Sequence, residues 1–135
     1  MENIKAIYKG NLRTEAVHLQ SGSTIITDAP TDNQGKGEAF SPTDLLATSL
    51  GSCMLTTMGI LADRLGLNIE GSTVGTQKIM ANDPRRVGEI VIDLKIPDRA
   101  FDDKTKKMLT HAAHSCPVAR SLSSELKQTV RISFI

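Results

Sequence analysis

The chain has 135 residues, a length that predicts a single domain spanning residues 1–135. Its 16 basic and 15 acidic residues give a net charge of +1, and aromatic residues make up only 3% of the chain. A broad cationic surface and a base-stacking platform are therefore both excluded, and nucleic acid is not an expected partner.

The N-terminal segment, MENIKAIYKG, lacks the apolar stretch of a secretory signal. No uninterrupted apolar run approaches the ~18 residues that cross a bilayer. We therefore expect a cytoplasmic protein with no membrane partner. In a reducing cytoplasm the two cysteines, Cys53 and Cys116, are more often free structural thiols or redox-active groups than a permanent disulfide.

The first part of the chain predicts three short strands, at residues 3–9, 15–20 and 23–27, with QSGS as the turn between the last two. Residues 28–41, DAPTDNQGKGEAFS, show no periodicity and are rich in turn formers. A loop of this length in a compact domain is usually a functional lid or a disordered segment.

A helix start follows at Ser41-Pro42-Thr43-Asp44. Ser41 suits the N-cap, Pro42 suits the first helical position, and Asp44 can reach back as in a capping box. The helix is expected to run to about Leu65 and to end at Gly66.

Apolar residues in this helix recur at three- and four-residue steps, which predicts a buried stripe with Cys53 on or beside it. Gly51 and Gly59 are poor helix formers in its interior and indicate close approach of another backbone or a partner helix. The residues of the predicted stripe are Leu46, Leu50, Cys53, Met54, Leu61 and Leu65.

The C-terminal half predicts strands at 68–80 and 89–96, helices at 102–114 and 117–127, and a final strand at 129–135. In the second of these strands four residues share one face, which are Ile90, Ile92, Leu94 and Ile96. Strands, a long helix, two strands, helices and a strand in this order indicate an α+β fold.

Cys116 lies directly before Pro117 in HAAHSCPVARSL, where a helix is predicted to begin. A thiol at that cap faces free backbone N–H groups and the positive end of the helix dipole, which favour the thiolate. Cys53, in mid-helix, needs a cation from elsewhere, for which Arg13 or the pair Arg85-Arg86 are candidates. Locally, Cys116 is the more reactive cysteine, and the simplest alternative is two unrelated core thiols.

Taken together, the motifs GKGEAFSPTDLLATSLGSCMLTTM, DPRRVGEI, HLQSG and HSCPVARSL make the chain resemble the OsmC/Ohr family of thiol-dependent peroxidases over nearly its full length. The resemblance implies an intertwined α+β homodimer in which strands wrap around a long central helix, with two sites between subunits. It also implies that Cys53 is the peroxidatic thiol and Cys116 the resolving thiol, which reverses the local interpretation.

The family arginine that activates the peroxidatic thiol corresponds to Arg13. A guanidinium lowers a thiol pKa and can hold a peroxide oxygen. The sequence departs from the family in one place. Peroxidases of the family have a glutamate ten residues before the peroxidatic cysteine, and here that position is Thr43. Asp44 and Glu38 are the nearby carboxylates, and for Asp44 we favour the capping role.

Other residue clusters have simpler explanations than a second site. His111, His114 and Cys116 could ligate zinc, but no further ligand completes the set, so we expect no metal and no cofactor. Arg85 and Arg86 suit a hairpin turn, with a contact at the rim of the active site as the alternative. Four methionines are expected to fill core space and not to form an electron relay, namely Met54, Met58, Met80 and Met108.

The sequence therefore predicts a hydroperoxide reductase that forms a Cys53 sulfenic acid and then a Cys53–Cys116 disulfide, which a cellular dithiol reduces. If Leu50 and Met54 line the pocket of Cys53, they would favour an apolar peroxide. The alternative is a non-catalytic thiol protein that binds a small apolar ligand or senses redox state, and Thr43 is the feature that supports it.

Overall fold

A computed structural model describes the whole chain, from Met1 to Ile135, and contains six β-strands and three α-helices. The strands form two separate three-stranded sheets, ordered β1-β2-β3 and β4-β5-β6. The α+β class predicted from the sequence is confirmed. The chain divides into two compact units, residues 1–45 and 46–135, which are described in turn.

The first unit is an antiparallel meander of β1 (Ile4–Gly10), β2 (Arg13–His18) and β3 (Thr24–Asp28). The predicted strands are present, but β2 begins at Arg13, two residues earlier than expected. Arg13 consequently pairs across the sheet with Asp28, the last residue of β3. The loop after β3 contains a 3₁₀ turn at Thr31–Asn33 and returns to pair Phe40 with Thr27.

The long helix α1 spans Pro42–Leu65, as its sequence predicts. Its start is a reciprocal capping box, because the Ser41 N–H donates to Asp44 Oδ2 at 2.9 Å and the Asp44 N–H donates to Ser41 Oγ at 3.0 Å. At its other end Gly66 takes a positive φ of 69°, which ends the helix at low steric cost.

The second unit contains β4 (Thr73–Ala81), β5 (Arg86–Ile96) and β6 (Lys127–Phe134), with β5 antiparallel to β4 and parallel to β6. The alternation predicted for the β5 strand is confirmed, since its four predicted core residues are fully buried. Together with α1 and α2 they form one apolar core, whose buried residues are Ala47, Leu50, Met54, Met58, Ala62, Val87, Ile90, Ile92, Leu94, Ile96, Leu109, Ala113 and Cys116.

The core-facing stripe of α1 differs in part from the predicted one. Leu50 and Met54 are buried as expected, whereas Leu46 and Leu65 are exposed. Ala47, Gly51, Met58 and Ala62 complete the buried face. Small residues occupy several of these positions because the helix lies close to the sheet. The predicted stripe omitted them because it was based on large apolar side chains.

Helices α2 (Asp103–His114) and α3 (Pro117–Ser121) follow β5. The prediction of a helix over 117–127 is too long, because Leu122 is extended and the Leu126 N–H donates to the Ser123 carbonyl in a turn. The strand predicted from residue 68 begins only at Thr73. Before it, the Asn68 side chain accepts a hydrogen bond from the Glu70 N–H, which favours a turn.

By length and composition α1 could cross a membrane, with a mean hydropathy of 1.6 over its most apolar window. The sequence-based search missed this because it counted only uninterrupted apolar runs. A core helix passes the same test, and α1 contributes Leu50, Met54, Met58 and Ala62 to the core of the second unit.

Candidate functional site

Cys53 lies in the middle of α1, at the edge of the face that packs on the core. Its side chain is half-buried and contacts the core cluster, so it is neither sealed inside the unit nor fully exposed. Its backbone is part of the helix and offers no spare N–H group to the sulfur. Cys53 is therefore a partly accessible thiol whose sulfur receives no hydrogen bond from its own helix backbone.

Cys116 is the N-cap of α3, as the sequence predicts. Its backbone is extended, with φ −67° and ψ 146°, and Pro117 occupies the first turn. The Ala119 N–H donates a hydrogen bond to Cys116 Sγ at 3.3 Å, so the sulfur takes the place of the usual oxygen cap.

The predicted thiolate character of Cys116 is wrong. Burial raises the pKa of the Cys116 thiol above its ordinary value, and the hydrogen bond from the Ala119 N–H only partly opposes this. The side chain is fully buried in the core. The free-energy cost of burying a thiolate away from water exceeds the stabilisation that the N-terminus of one short helix provides. Cys116 is therefore a neutral thiol in the reduced protein.

The two cysteines, distant in sequence, lie next to each other in the second unit. The Cys53 side chain lies close enough to the Cys116 thiol to interact with it, and this interaction raises the pKa of Cys116 further. Both thiols are free. A half-buried thiol beside a fully buried neutral one can react with a small oxidant and then close to a disulfide.

Arg13 lies in the first unit between two carboxylates. Its Nη2 is 2.8 Å from Glu38 Oε2 and 3.5 Å from Asp28 Oδ2. The hydrogen bond to Glu38 and the charge of Asp28 raise the pKa of Arg13, so the guanidinium stays charged. The sequence proposed Glu38 as one possible support for this arginine, and the structure shows that contact.

Asp28 was missed by the sequence analysis. Its side chain is only 1% exposed, and its Oδ2 accepts a hydrogen bond from the Glu38 N–H at 3.0 Å. This hydrogen bond and the charge of Arg13 lower the pKa of Asp28, whereas its other oxygen, Oδ1, is buried without a partner. The sequence offered one sign that Asp28 matters, which is its position at the end of a strand and the start of a long polar loop. Its role as a partner of Arg13 follows only from the pairing of the two residues across the sheet.

Thr43 and Asp44, the other residues considered beside Arg13, both belong to the start of α1. Asp44 forms the capping box with Ser41, which confirms its predicted structural role. The Thr43 hydroxyl is 3.2 Å from Ser41 Oγ. The carboxylates on Arg13 are thus Glu38 and Asp28, and the activation of Cys53 by Arg13 stays a prediction.

The histidines considered as zinc ligands lie in the last turn of α2, where their contacts are local. The Ser115 hydroxyl donates to the His111 carbonyl at 2.9 Å and lies 3.4 Å from His111 Nε2. His114 is exposed whereas Cys116 is buried. No group of three potential ligands converges here or elsewhere in residues 1–135, so the zinc alternative has no geometric support.

The remaining candidates lie in the core or in a turn. Leu50 and Met54 are fully buried in this chain, and their role as substrate contacts stays a prediction. Arg86 Nη1 donates to the carbonyls of Asn82 and Pro84, which agrees with the predicted role in the hairpin turn. Met58 fills core space as expected.

Comparison with known proteins connects this geometry to a family. The family model for OsmC-like protein matches residues 35–131. A Psychrobacter arcticus 273-4 protein that carries the name osmotic stress induced and detoxification response protein is 55% identical, with 98% of this chain and 96% of that chain covered and a TM-score of 0.92. The comparison with curated proteins found no match.

Two more distant structures share the fold. The organic hydroperoxide resistance protein OsmC of Legionella pneumophila is 16% identical, with 96% of this chain and 94% of that chain covered and a TM-score of 0.74. The organic hydroperoxide resistance protein of Elizabethkingia anophelis is 15% identical, with 100% and 98% covered and a TM-score of 0.76. The match to the family model and the 55% identical relative together show that the chain belongs to the OsmC-like protein family.

Proposed function

We propose that this protein reduces organic hydroperoxides through its two cysteines. The observation that carries the proposal is the contact between the half-buried Cys53 thiol and the buried Cys116 thiol. Membership of the OsmC-like family supports it, as do the names of the Legionella and Elizabethkingia proteins that share the fold.

The reaction has two steps on the protein. The Cys53 thiolate attacks one oxygen of ROOH, the O–O bond breaks, and the alkoxide takes up a proton and leaves as an alcohol, so that Cys53 becomes a sulfenic acid. The Cys116 sulfur then attacks the Cys53 sulfur, and the proton of Cys116 and the sulfenic hydroxyl leave as water. A cellular dithiol reduces the resulting disulfide by exchange.

Arg13 is proposed to activate Cys53 and to hold a peroxide oxygen while the O–O bond breaks. A charged guanidinium lowers the pKa of a nearby thiol and stabilises the leaving oxygen. The two carboxylates on Arg13 support this role, because they fix the guanidinium in one orientation. We further propose a cytoplasmic homodimer, a state in which exposed apolar residues of the first sheet, such as Ile7, Tyr8 and Ile26, would be covered.

The test is the fate of both thiols after treatment with cumene hydroperoxide. We expect one intramolecular Cys53–Cys116 disulfide by mass spectrometry, and turnover of the peroxide when dihydrolipoamide is supplied. Cys53→Ser should abolish turnover, whereas Cys116→Ser should stop the reaction at the sulfenic acid. Two thiols that stay fully alkylatable after peroxide treatment would refute the proposal.

A redox-sensing thiol protein is the second candidate, and the observation that favours it is the complete burial of the Cys116 thiol, which raises its pKa. A neutral resolving thiol reacts slowly, so the Cys53 sulfenic acid would persist. Single oxidation without turnover, with a sulfenic acid that a dimedone probe traps in the wild-type protein, would identify this function.

A further inference from the structure

The polar segment after β3, for which the sequence predicted a lid or a disordered loop, folds back on the end of that strand. The Asp28 N–H donates to the Phe40 carbonyl at 3.1 Å, and the Gly37 N–H donates to the Ala29 carbonyl at 3.2 Å. Phe40 also forms a parallel bridge with β3. The two ends of residues 29–39, the 29–39 loop, are therefore joined, as in compact surface loops that pack on themselves.

The Asp28 carboxylate is buried against the backbone of this loop. Its side chain is only 1% exposed, and its Oδ2 accepts a hydrogen bond from the Glu38 N–H at 3.0 Å. After this hydrogen bond and the charge of Arg13, the backbone N–H groups of Lys36 and Ala29 also lower the pKa of Asp28. A buried anion that faces several backbone N–H groups stabilises the loop conformation that presents them, because an open loop would leave the carboxylate without these partners.

Gly35 lets the same loop lie directly on the segment that follows β3. A Cβ at this position would lie 1.7 Å from the Ala29 carbonyl oxygen and 2.1 Å from the carbonyl carbon. The Gly35 N–H donates to the Pro30 carbonyl at 2.9 Å. A larger residue would push the loop away from Ala29, and Glu38 follows shortly afterwards in the chain. The position of Glu38 therefore depends on how closely the loop packs.

We propose that Asp28 is a positioning residue, which holds the 29–39 loop closed and thereby brings the Glu38 carboxylate onto Arg13. This inference rests on the proposed peroxide chemistry, in which Arg13 activates Cys53. The Asp28 Oδ2 atom is shared, since it accepts from the Glu38 N–H and also lies 3.5 Å from Arg13 Nη2. The Glu38 side chain is 59% exposed, and an exposed ion pair by itself holds two side chains together only weakly. The anchored backbone of the loop supplies the missing constraint.

Limited proteolysis of the full-length protein with trypsin measures loop closure without peroxide. Lys36 is an exposed residue of the loop, whereas Lys95 belongs to β5, the central strand of its sheet, where cleavage requires unfolding. Asp28→Asn should speed cleavage after Lys36 at least about tenfold, because a charge-assisted hydrogen bond is lost, and should affect cleavage after Lys95 much less. Glu38→Gln keeps the N–H that binds Asp28 and should leave both rates unchanged.

The rate of peroxide consumption connects the loop to the chemistry. Asp28→Asn should slow it about tenfold, and Gly35→Ala should do the same although it changes no functional group. The double variant Asp28→Asn/Glu38→Gln should be no more than about twofold slower than Asp28→Asn, because Glu38 no longer reaches Arg13 once the loop is open. A purely structural role for Asp28 would instead multiply the two losses. The control Asp32→Asn removes the same charge from an exposed position in the loop and should behave like wild type.

Wild-type rates of cleavage after Lys36 in Asp28→Asn would overturn the proposal. So would equal acceleration of cleavage after Lys36 and Lys95, or losses of peroxide consumption that multiply in the double variant. If Asp28→Asn does not fold, Gly35→Ala decides, because an opened loop with full peroxide consumption would show that loop closure does not position Glu38. A wild type that consumes no peroxide would refute the peroxidase proposal alone, since cleavage after Lys36 still decides whether Asp28 closes the loop.

Discussion

Arg13 shows how far the chemistry of one residue depends on partners that are remote in sequence. The family pattern directs attention to the position ten residues before Cys53, which is Thr43 here. The structure instead places Glu38 and Asp28 on the guanidinium, since the sheet register pairs Arg13 with Asp28 and the following loop returns with Glu38. Glu38 therefore supplies the carboxylate contact to Arg13 that the resemblance assigned to a glutamate ten residues before Cys53.

The first prediction at this scale concerns Glu38→Gln. The variant keeps the side-chain length but removes the charge that orients Arg13, so peroxide consumption should slow by up to about tenfold, or about 1.4 kcal/mol of barrier. Arg13→Ala should slow it further and should also slow alkylation of Cys53 near neutral pH, because a cation that favours the thiolate is lost. Steady-state peroxide consumption and iodoacetamide kinetics measure both effects.

Asp44→Asn is the control for that experiment. This variant alters the capping box. It should lower the free energy of unfolding by about 1 kcal/mol or less and leave the activity unchanged. Thr43→Glu should bring no gain in rate, because Arg13 already has two carboxylates. Activity lost only in Asp44→Asn, at unchanged thermal stability, would show that Asp44 and not Glu38 supports the arginine.

At the scale of elements, α1 packs on the core and also carries the partly accessible Cys53 thiol. Its two interior glycines serve different purposes. A Cβ on Gly51 would lie 3.0 Å from Val74 Cγ2 and 3.1 Å from Thr76 Oγ1, so this glycine lets the helix approach β4 closely. A Cβ on Gly59 would meet nothing within 4 Å. The predicted close approach is thus confirmed at Gly51, with a strand as the neighbour, and absent within this chain at Gly59.

The matched pair Gly51→Ala and Gly59→Ala tests this difference. Overpacking against β4 costs about 1–3 kcal/mol, which exceeds the gain of about 1 kcal/mol in helix propensity, so Gly51→Ala should destabilise. Gly59→Ala gains helix propensity without a steric cost, so it should stabilise the folded protein by up to about 1 kcal/mol. Urea unfolding measures both. A destabilised Gly59→Ala would mean that this face of α1 packs against a second copy in solution.

At the scale of the whole molecule, carboxylates held in their ionised form link the fold to pH. The hydrogen bond from Lys106 lowers the pKa of Asp98, and the hydrogen bonds of the α2 cap at Thr105 lower that of Asp102. The pKa of Asp28 is also lowered, by the hydrogen bond from the Glu38 N–H and by the charge of Arg13. Each folded-state pKa lies below the ordinary value of about 4, so ionisation stabilises the fold above about pH 4, and this stabilisation is lost as the pH falls through the folded-state pKa.

The corresponding prediction compares wild type with Asp28→Asn between about pH 7 and pH 2. The wild type should be the more stable protein above about pH 4, and the difference should shrink as the pH falls further, because the native carboxylate becomes protonated. Asp63→Asn, on the exposed side of α1, is the control. A stability difference that stays constant down to about pH 2 would mean that Asp28 contributes by packing alone.

The sequence by itself determined what depends on neighbouring residues. The capping box at Ser41, the stop at Gly66, the alternation of β5 and the sulfur cap at Cys116 follow from side chains within a few residues of each other, and all are present in the structure. Motif resemblance added the family and the expectation that two distant cysteines act together, and the structure places their side chains next to each other. The resemblance did so through the order of residues and not through any property of either thiol.

Only the tertiary structure decided what depends on burial and on distant partners. The helix-start argument favoured a thiolate at Cys116, but core packing removes water from that sulfur and makes the neutral thiol more stable. Asp28 carries only a weak local signal, a carboxylate at the end of a strand, and its importance comes from the sheet, which buries it beside Arg13. Local hydrogen bonds are encoded by short spacings, whereas the cost of desolvating a charge is set by every element that packs around it.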